Sequence, residues 1–146
     1  MERKIYKDLL EWKNNADRKP LILQGARQVG KTYIVNCIAG KEYSNSVYCN
    51  FEKDDGLHDF FHDLTPEKII KKLSLYKRKE IFQGNTLIIF DEIQACPEAI
   101  TSLKYFNEEA NGYHIIALGS LLGVSVNRGN FSFAVGKVQF MTLYPL

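Results

Sequence analysis

The 146-residue chain contains no run of about 18 apolar residues, the length a helix needs to cross a bilayer. Its first ten residues carry alternating charge instead of a basic stretch followed by an apolar one. Neither a membrane span nor a signal peptide is expected, and the location expected is cytoplasmic. Cysteine is scarce. Cys37, Cys49 and Cys96 are odd in number, widely spaced and form no C-x-x-C, so they read as reduced, partly buried thiols of a cytosolic protein and not as a disulfide framework. Excess charge is equally small: a net +2 is too little for bulk attraction to nucleic acid or to a membrane surface, although a local patch could act. Arginine occurs at only five scattered positions. That is poor material for the arginine-rich lid with which a small-molecule kinase excludes water.

Hydrophobic residues make up 45% of the chain, enough to fill the core of one domain spanning residues 1–146. Met1 to Asn15 carries Ile5, Leu9 and Trp12 at helical spacing and predicts an amphipathic helix on the domain's edge. Apolar or β-branched runs predict strands at Leu21 to Gln24, Ser46 to Phe51, Thr86 to Phe90, His114 to Leu118 and Lys137 to Leu143. Helices are expected between them, one from Tyr33 to Ala39 stopped by Gly40, one opened by Thr65 as cap with Pro66 at its first position, and one from Pro97 to Asn107. Thr86 to Phe90 is apolar throughout, as befits a central strand covered on both faces. Strands alternating with helices predict an α/β fold, a three-layer sandwich with a mainly parallel sheet between helices.

The leading signal is Gly25-Ala26-Arg27-Gln28-Val29-Gly30-Lys31-Thr32, a complete G-x-x-x-x-G-K-[ST] phosphate-binding loop placed directly after an apolar strand. Its glycines let the backbone curl so that N–H groups point inward at phosphate oxygens, and Lys31 adds an ammonium for the β and γ oxygens. Thr32 offers a hydroxyl to Mg2+. The helix that begins around Tyr33 adds the positive end of its dipole. A nucleoside triphosphate is the ligand that this combination implies. No Asn-Lys-x-Asp appears, and Asn14-Asn15-Ala16-Asp17 lacks the lysine and precedes the loop, so a GTPase is disfavoured.

A second constellation lies about 60 residues on, where the strand Leu87-Ile88-Ile89-Phe90 ends in Asp91-Glu92. Ligands of open α/β sheets sit beyond the carboxyl ends of the strands, so both acids should emerge beside the loop. Asp91 would hold Mg2+ through water, and Glu92 would orient and polarise an attacking water. A third is Ala117-Leu118-Gly119-Ser120, whose terminal hydroxyl could touch the γ-phosphate or the water, or could simply mark a strand turning through glycine.

Together, the loop, Phe90-Asp91-Glu92-Ile93-Gln94 with Pro97, Leu118-Gly119-Ser120 and the final Leu143-Tyr144-Pro145-Leu146 resemble a prokaryotic AAA-type P-loop ATPase family. Its members carry an N-terminal ATPase domain followed by a C-terminal domain of nuclease-like fold and unknown function. The resemblance implies ATP with Mg2+, hydrolysis with Glu92 as base, and Ser120 as sensor of the γ-phosphate. Where the family leads one to expect Gly-Arg before the last strand, the chain has Gly136-Lys137, a point charge in place of a fork. The chain also stops where a helical lid and the C-terminal domain would begin, and so reads as a fragment or a short member.

Three functions follow as expectations: an ATPase coupling hydrolysis to movement of an attached domain or partner, a nucleotide-gated interaction module with negligible hydrolysis, and a small-molecule kinase. Other residues have plainer readings beside functional ones. His58 and His62 have the spacing of a zinc pair on one helix face, but read more simply as surface residues. Lys68, Lys71, Lys72, Lys77, Arg78 and Lys79 read as a solvated helix face, with a nucleic-acid backbone as the alternative. Arg27 and Gln28 are structural or contact a neighbouring subunit. Arg128 could reach a neighbour's site through self-association. Trp12 and Tyr33 could flank an adenine or pack in the core. A nucleic-acid or protein client is open at this level.

Overall fold

The run from Thr86 to Phe90, with Asp91 at its end, is buried along its whole length, and the other elements are arranged around it. In the computed structural model, which describes residues 2–25, 30–119 and 136–143, the chain forms α1 (Glu2–Asn14), β1 (Leu21–Gln24), α2 (Lys31–Glu42), β2 (Asn45–Asn50) and a 3-10 helix (Asp55–Phe61). It continues with α3 (Pro66–Lys77), β3 (Thr86–Asp91), a 3-10 turn (Ile93–Ala95), α4 (Pro97–Glu109), β4 (His114–Gly119) and β5 (Gln139–Thr142). The strands form one sheet in the order β2-β3-β4-β1-β5, and every pairing is parallel. Parallel neighbours require crossovers, and the crossover helices cover both faces. Successive β3 residues alternate between the layers: Leu87 and Ile89 pack with α1 and α2, while Ile88 and Phe90 pack with α3 and α4. The expected α/β three-layer sandwich is therefore present.

On the α3/α4 side, Phe51, Phe61 and Phe90 meet edge to face with centroids 5.3–5.6 Å apart. Each such contact adds about 0.5–1.5 kcal/mol to the burial of the rings themselves. All three rings are fully buried. This cluster holds β2 and the 3-10 helix against β3 and so fixes the edge of the sheet nearest Asp91.

Two local expectations are corrected. α2 does not stop at Gly40 but runs on to Glu42, with Tyr43 as an extended C-cap. A glycine inside a helix costs about 0.5–1 kcal/mol relative to alanine, and the burial of Ile38, Ala39 and Tyr43 on either side outweighs that. Thr65 precedes α3 with Pro66 at the first position, as expected, but its side chain makes no cap hydrogen bond. The Thr65 hydroxyl donates instead to Asp63 Oδ1 at 2.7 Å. With the backbone N–H of Thr65 and Lys68 Nζ on the same carboxylate, Asp63 is held well below the usual carboxylate range.

The amino edge of the sheet is closed by side chains of purely structural use. His114 opens β4 and is buried against the rings of Trp12 and Tyr43, and its Nδ1 lies 2.6 Å from the Tyr43 hydroxyl. Arg18 donates to the carbonyl of Asn111, and Asn111 Nδ2 returns a bond to the carbonyl of Arg18. Burial first, and then the charges of Arg18 and Lys13, push the His114 pKa from 6.5 down to about 4. The unfolded chain thus binds a proton that the folded chain refuses between those values. Stability from this residue is complete above pH 6.5 and is lost as pH falls towards 4, by about 2–3 kcal/mol. Urea unfolding at pH 7 and pH 4.5 checks this. The expected midpoint is clearly lower at pH 4.5, and an unchanged midpoint would mean that the imidazole takes up its proton without leaving the fold.

Candidate functional site

β4 lies between β1 and β3 in space, although it follows both in sequence. The order of the strands reverses around β1, and ligands of such sheets sit in the crevice beyond the carboxyl ends at that point. β1 runs into Gly25, β4 ends at Gly119, and β3 ends at Asp91, so the three sequence constellations converge on one edge.

Gly30 begins α2 as its N-cap in the left-handed conformation, φ 85°. Glycine adopts that region freely, whereas another residue would be strained by about 1 kcal/mol. The turn brings Lys31 onto the first turn of α2 and aims its side chain back across the sheet. Lys31 Nζ donates to the carbonyl of Gly25 and to that of Gly119 at 3.2 Å. The ammonium thereby spans the ends of β1 and β4. Thr32 follows, and its hydroxyl donates to Asp91 Oδ2 at 3.4 Å. Tyr33 stands largely exposed beside them.

Asp91 is buried, and both its oxygens are engaged. Oδ1 accepts the backbone N–H of Glu92 at 2.8 Å. Oδ2 accepts the Thr32 hydroxyl and also the phenol of Tyr48, which reaches across from β2. Burial and the adjacent Asp91 carboxylate push the Tyr48 phenol up to about 12. The phenol therefore stays protonated, a donor at any working pH. Asn50 Nδ2 in turn donates to the Tyr48 hydroxyl at 3.3 Å.

Glu92 turns the chain out of the sheet in the left-handed region, φ 51°. For a residue with a Cβ this costs on the order of 1 kcal/mol, a strain characteristic of positions held for function. Its Oε1 accepts from Gln94 Nε2 at 2.9 Å. The Lys31 ammonium, the Thr32 hydroxyl and the Asp91 carboxylate thus meet at the N-terminus of α2, where backbone N–H groups favour anions, and Glu92 follows Asp91 at the end of β3.

Gly25, Gly30, Lys31, Thr32, Tyr33, Asp91 and Glu92 all stand at this edge. Ala26, Arg27, Gln28, Val29 and Ser120 lie outside the described residues, as do Arg128 and Tyr144-Pro145-Leu146. Trp12 is remote from the site: it is buried at the opposite edge, where its indole N–H donates to the Lys19 carbonyl at 2.7 Å. Lys137 is also at the opposite edge, immediately before β5, in an ion pair with Glu108 of α4 at 3.2 Å. His58 and His62 do not form a pair. They lie in and just after a 3-10 helix, so four-residue spacing no longer shares a face; His58 bonds the Phe51 carbonyl and His62 pairs with Asp59. Among the described residues no cluster of three or more His, Cys, Asp or Glu side chains could hold a metal, and no helix is long and apolar enough to cross a membrane. Tyr48 and Asn50 carried no sequence signal of their own, and Gln94 entered only as part of the motif that follows β3. Tyr48 could have been found only by knowing that β2 pairs with β3.

No curated protein matches the chain. Among solved structures, the Orc1 protein of Aeropyrum pernix in complex with DNA shares the fold, with a TM-score of 0.60 and 15% sequence identity. The superposition covers 99% of this chain and 44% of that one, so the chain spans less than half the length of that relative. At such identity the likeness speaks for the fold. A family model described as an AAA domain matches residues 17–146. The chain therefore belongs to the AAA domain family and is an ATP-binding, ATPase-type module with a P-loop fold.

Proposed function

We propose that residues 1–146 form an Mg2+-dependent ATPase domain whose hydrolysis moves an attached domain or a partner. The observation that carries this reading is the convergence of Lys31, Thr32, Asp91 and Glu92 at the ends of β1, β3 and β4. The donor set fits Mg2+. The Thr32 hydroxyl and Asp91 carboxylate are hard oxygens 3.4 Å apart, and they are too few to enclose a cation without water and phosphate oxygens, as Mg2+ prefers. Bound there, Mg2+ would neutralise charge developing on the β and γ oxygens. Lys31 exchanges its carbonyl partners for phosphate oxygens, and the N–H groups at the head of α2 cradle the anion. Glu92 orients the attacking water and draws its proton, while the hydroxyl of Ser120 contacts the γ-phosphate.

Among the described residues, Lys137, Arg18 and Arg78 do not supply the cation that meets transition-state charge. Lys137 is spent on Glu108, Arg18 on Asn111, and Arg78 caps α3 beside Lys79, which bonds the start of β2. All three lie away from Lys31. Arg128 of a neighbouring copy, or an arginine of an attached partner, would supply it, and such an arginine is worth about 10³–10⁵ in rate. The chain alone is therefore expected to turn ATP over below about 0.1 per second. ATPase assays over a range of protein concentration test this. Specific activity should climb with concentration, and Arg128→Ala should abolish the climb without changing ATP affinity. A fast rate independent of concentration would mean that one copy holds a complete site. Tight ATP binding with no turnover at any concentration would favour the nucleotide-gated interaction module, a reading that the placement of Lys137 supports. The client is nucleic acid or protein; the Orc1 structure that shares the fold is one in complex with DNA.

A further inference from the structure

The Asp91 carboxylate is held from two sides, and the second holder comes from a strand that carries none of the phosphate-binding sequence. Its Oδ1 is tied to the Glu92 N–H at 2.8 Å, a bond within its own turn. That bond and the Thr32 hydroxyl, which reaches Oδ2 only at 3.4 Å, leave the carboxylate plane loosely held, because terminal sp³–sp² torsions have broad, shallow wells. We propose that Tyr48 of β2 is the positioning residue of the Mg2+ site, its phenol fixing the plane of Asp91 so that Oδ2 stays beside the Thr32 hydroxyl. This rests on the reading of Asp91 as the Mg2+-holding carboxylate.

The geometry follows from the register. Tyr48 pairs with Ile89, and Asn50 pairs with Asp91, so Tyr48 and Asp91 are diagonal neighbours on one face of the sheet. A diagonal step of about 7–8 Å is within reach of an aromatic side chain and beyond that of most others. Ile89 packs on the α1/α2 side, and Asp91, two residues along the same strand, faces that side as well, towards Thr32 of α2. The Tyr48 hydroxyl is itself steadied by Asn50 Nδ2 at 3.3 Å.

Two effects of the phenol oppose each other. By donating to Oδ2 it withdraws negative charge and weakens the pull on a cation. By fixing the plane it removes an ordering cost that Mg2+ binding would otherwise carry. For a carboxylate that reaches Mg2+ through water, geometry outweighs bare charge, and freezing one such side chain shifts binding by about threefold to tenfold. Tyr48 therefore strengthens the Mg2+ response. Its ring is 36% exposed, so Tyr48→Phe keeps the packing and removes only the hydroxyl.

The test is ATP affinity, measured by titration calorimetry in EDTA and at stepped free Mg2+ concentrations, for wild type, Tyr48→Phe and Asp91→Asn. Tyr48→Phe is expected to bind ATP in EDTA as wild type does, and to need about three to ten times more Mg2+ for the half-maximal gain in affinity. A role confined to folding would move the EDTA affinity and the melting temperature instead, and would overturn the proposal. A midpoint equal to wild type, or lower because charge withdrawal dominates, would overturn it too. Asp91→Asn separates the two layers of inference. If it abolishes the Mg2+ response while Tyr48→Phe leaves the midpoint alone, only the role of Tyr48 falls. If it leaves the response intact, the assignment of Asp91 falls and takes Tyr48 with it.

Discussion

Glu92→Gln is expected to bind ATP as the native chain does and to hydrolyse it about 100-fold more slowly or worse. Glutamine keeps the length of the side chain and the oxygen that accepts from Gln94 Nε2 at 2.9 Å, so the turn and its contacts survive. What is lost is the carboxylate's ability to polarise a water and take its proton. The left-handed backbone at φ 51° is unaffected, since glutamine and glutamate meet the same steric cost there. Binding and chemistry should thus separate cleanly. Calorimetry and single-turnover hydrolysis on the same preparation measure the two. Turnover at the wild-type rate would place the base on another residue.

Lys31→Ala is expected to weaken ATP binding at least tenfold, the loss of a charge-assisted contact of about 2–4 kcal/mol. The ammonium bridges the carbonyls of Gly25 and Gly119, and phosphate oxygens must compete with those partners. They win because a triphosphate carries full negative charge and a carbonyl only a dipole. Gly25 and Gly119 are both buried, so the variant leaves two carbonyls that must take water into the space the side chain vacates, and a modest fall in melting temperature is expected beside the loss of affinity. Calorimetric titration of the folded variant decides the matter, and equal affinities would remove Lys31 from the site.

Much of the fold was legible because its signals are local. Thr86 to Phe90 is a continuous β-branched and apolar run, the pattern of a strand covered on both faces, and the structure buries all of it together with Asp91. The phosphate loop is readable for a related reason, since its chemistry needs glycines, a lysine and a hydroxyl at set offsets along one turn of chain. Local signals misled where tertiary packing had a competing use for the residue. Gly40 looked like a helix stop, yet burial of its neighbours carries α2 past it. Thr65 is the N-cap of α3, as its context suggested, yet its hydroxyl bonds Asp63 and not the helix. His58 and His62, read as residues of a surface helix, lie in and just after a tighter 3-10 helix.

By itself the sequence determined which stretches become strands and marked the residues proposed to meet the phosphates, because each is a property of a few consecutive side chains and the backbone between them. Only the tertiary structure decided the order β2-β3-β4-β1-β5, and with it that Gly119 rather than a residue of β3 would receive Lys31 beside Gly25. The same order carried Trp12 and Lys137 to the far edge, where Lys19 and Glu108 engage them, and set Tyr48 diagonally across from Asp91. Strand pairing joins residues dozens of positions apart, and the hydrogen bonds that select a neighbour are backbone bonds common to every strand. Which strand wins therefore depends on how both faces of the whole sheet bury their apolar surface at once, a condition that no single segment carries.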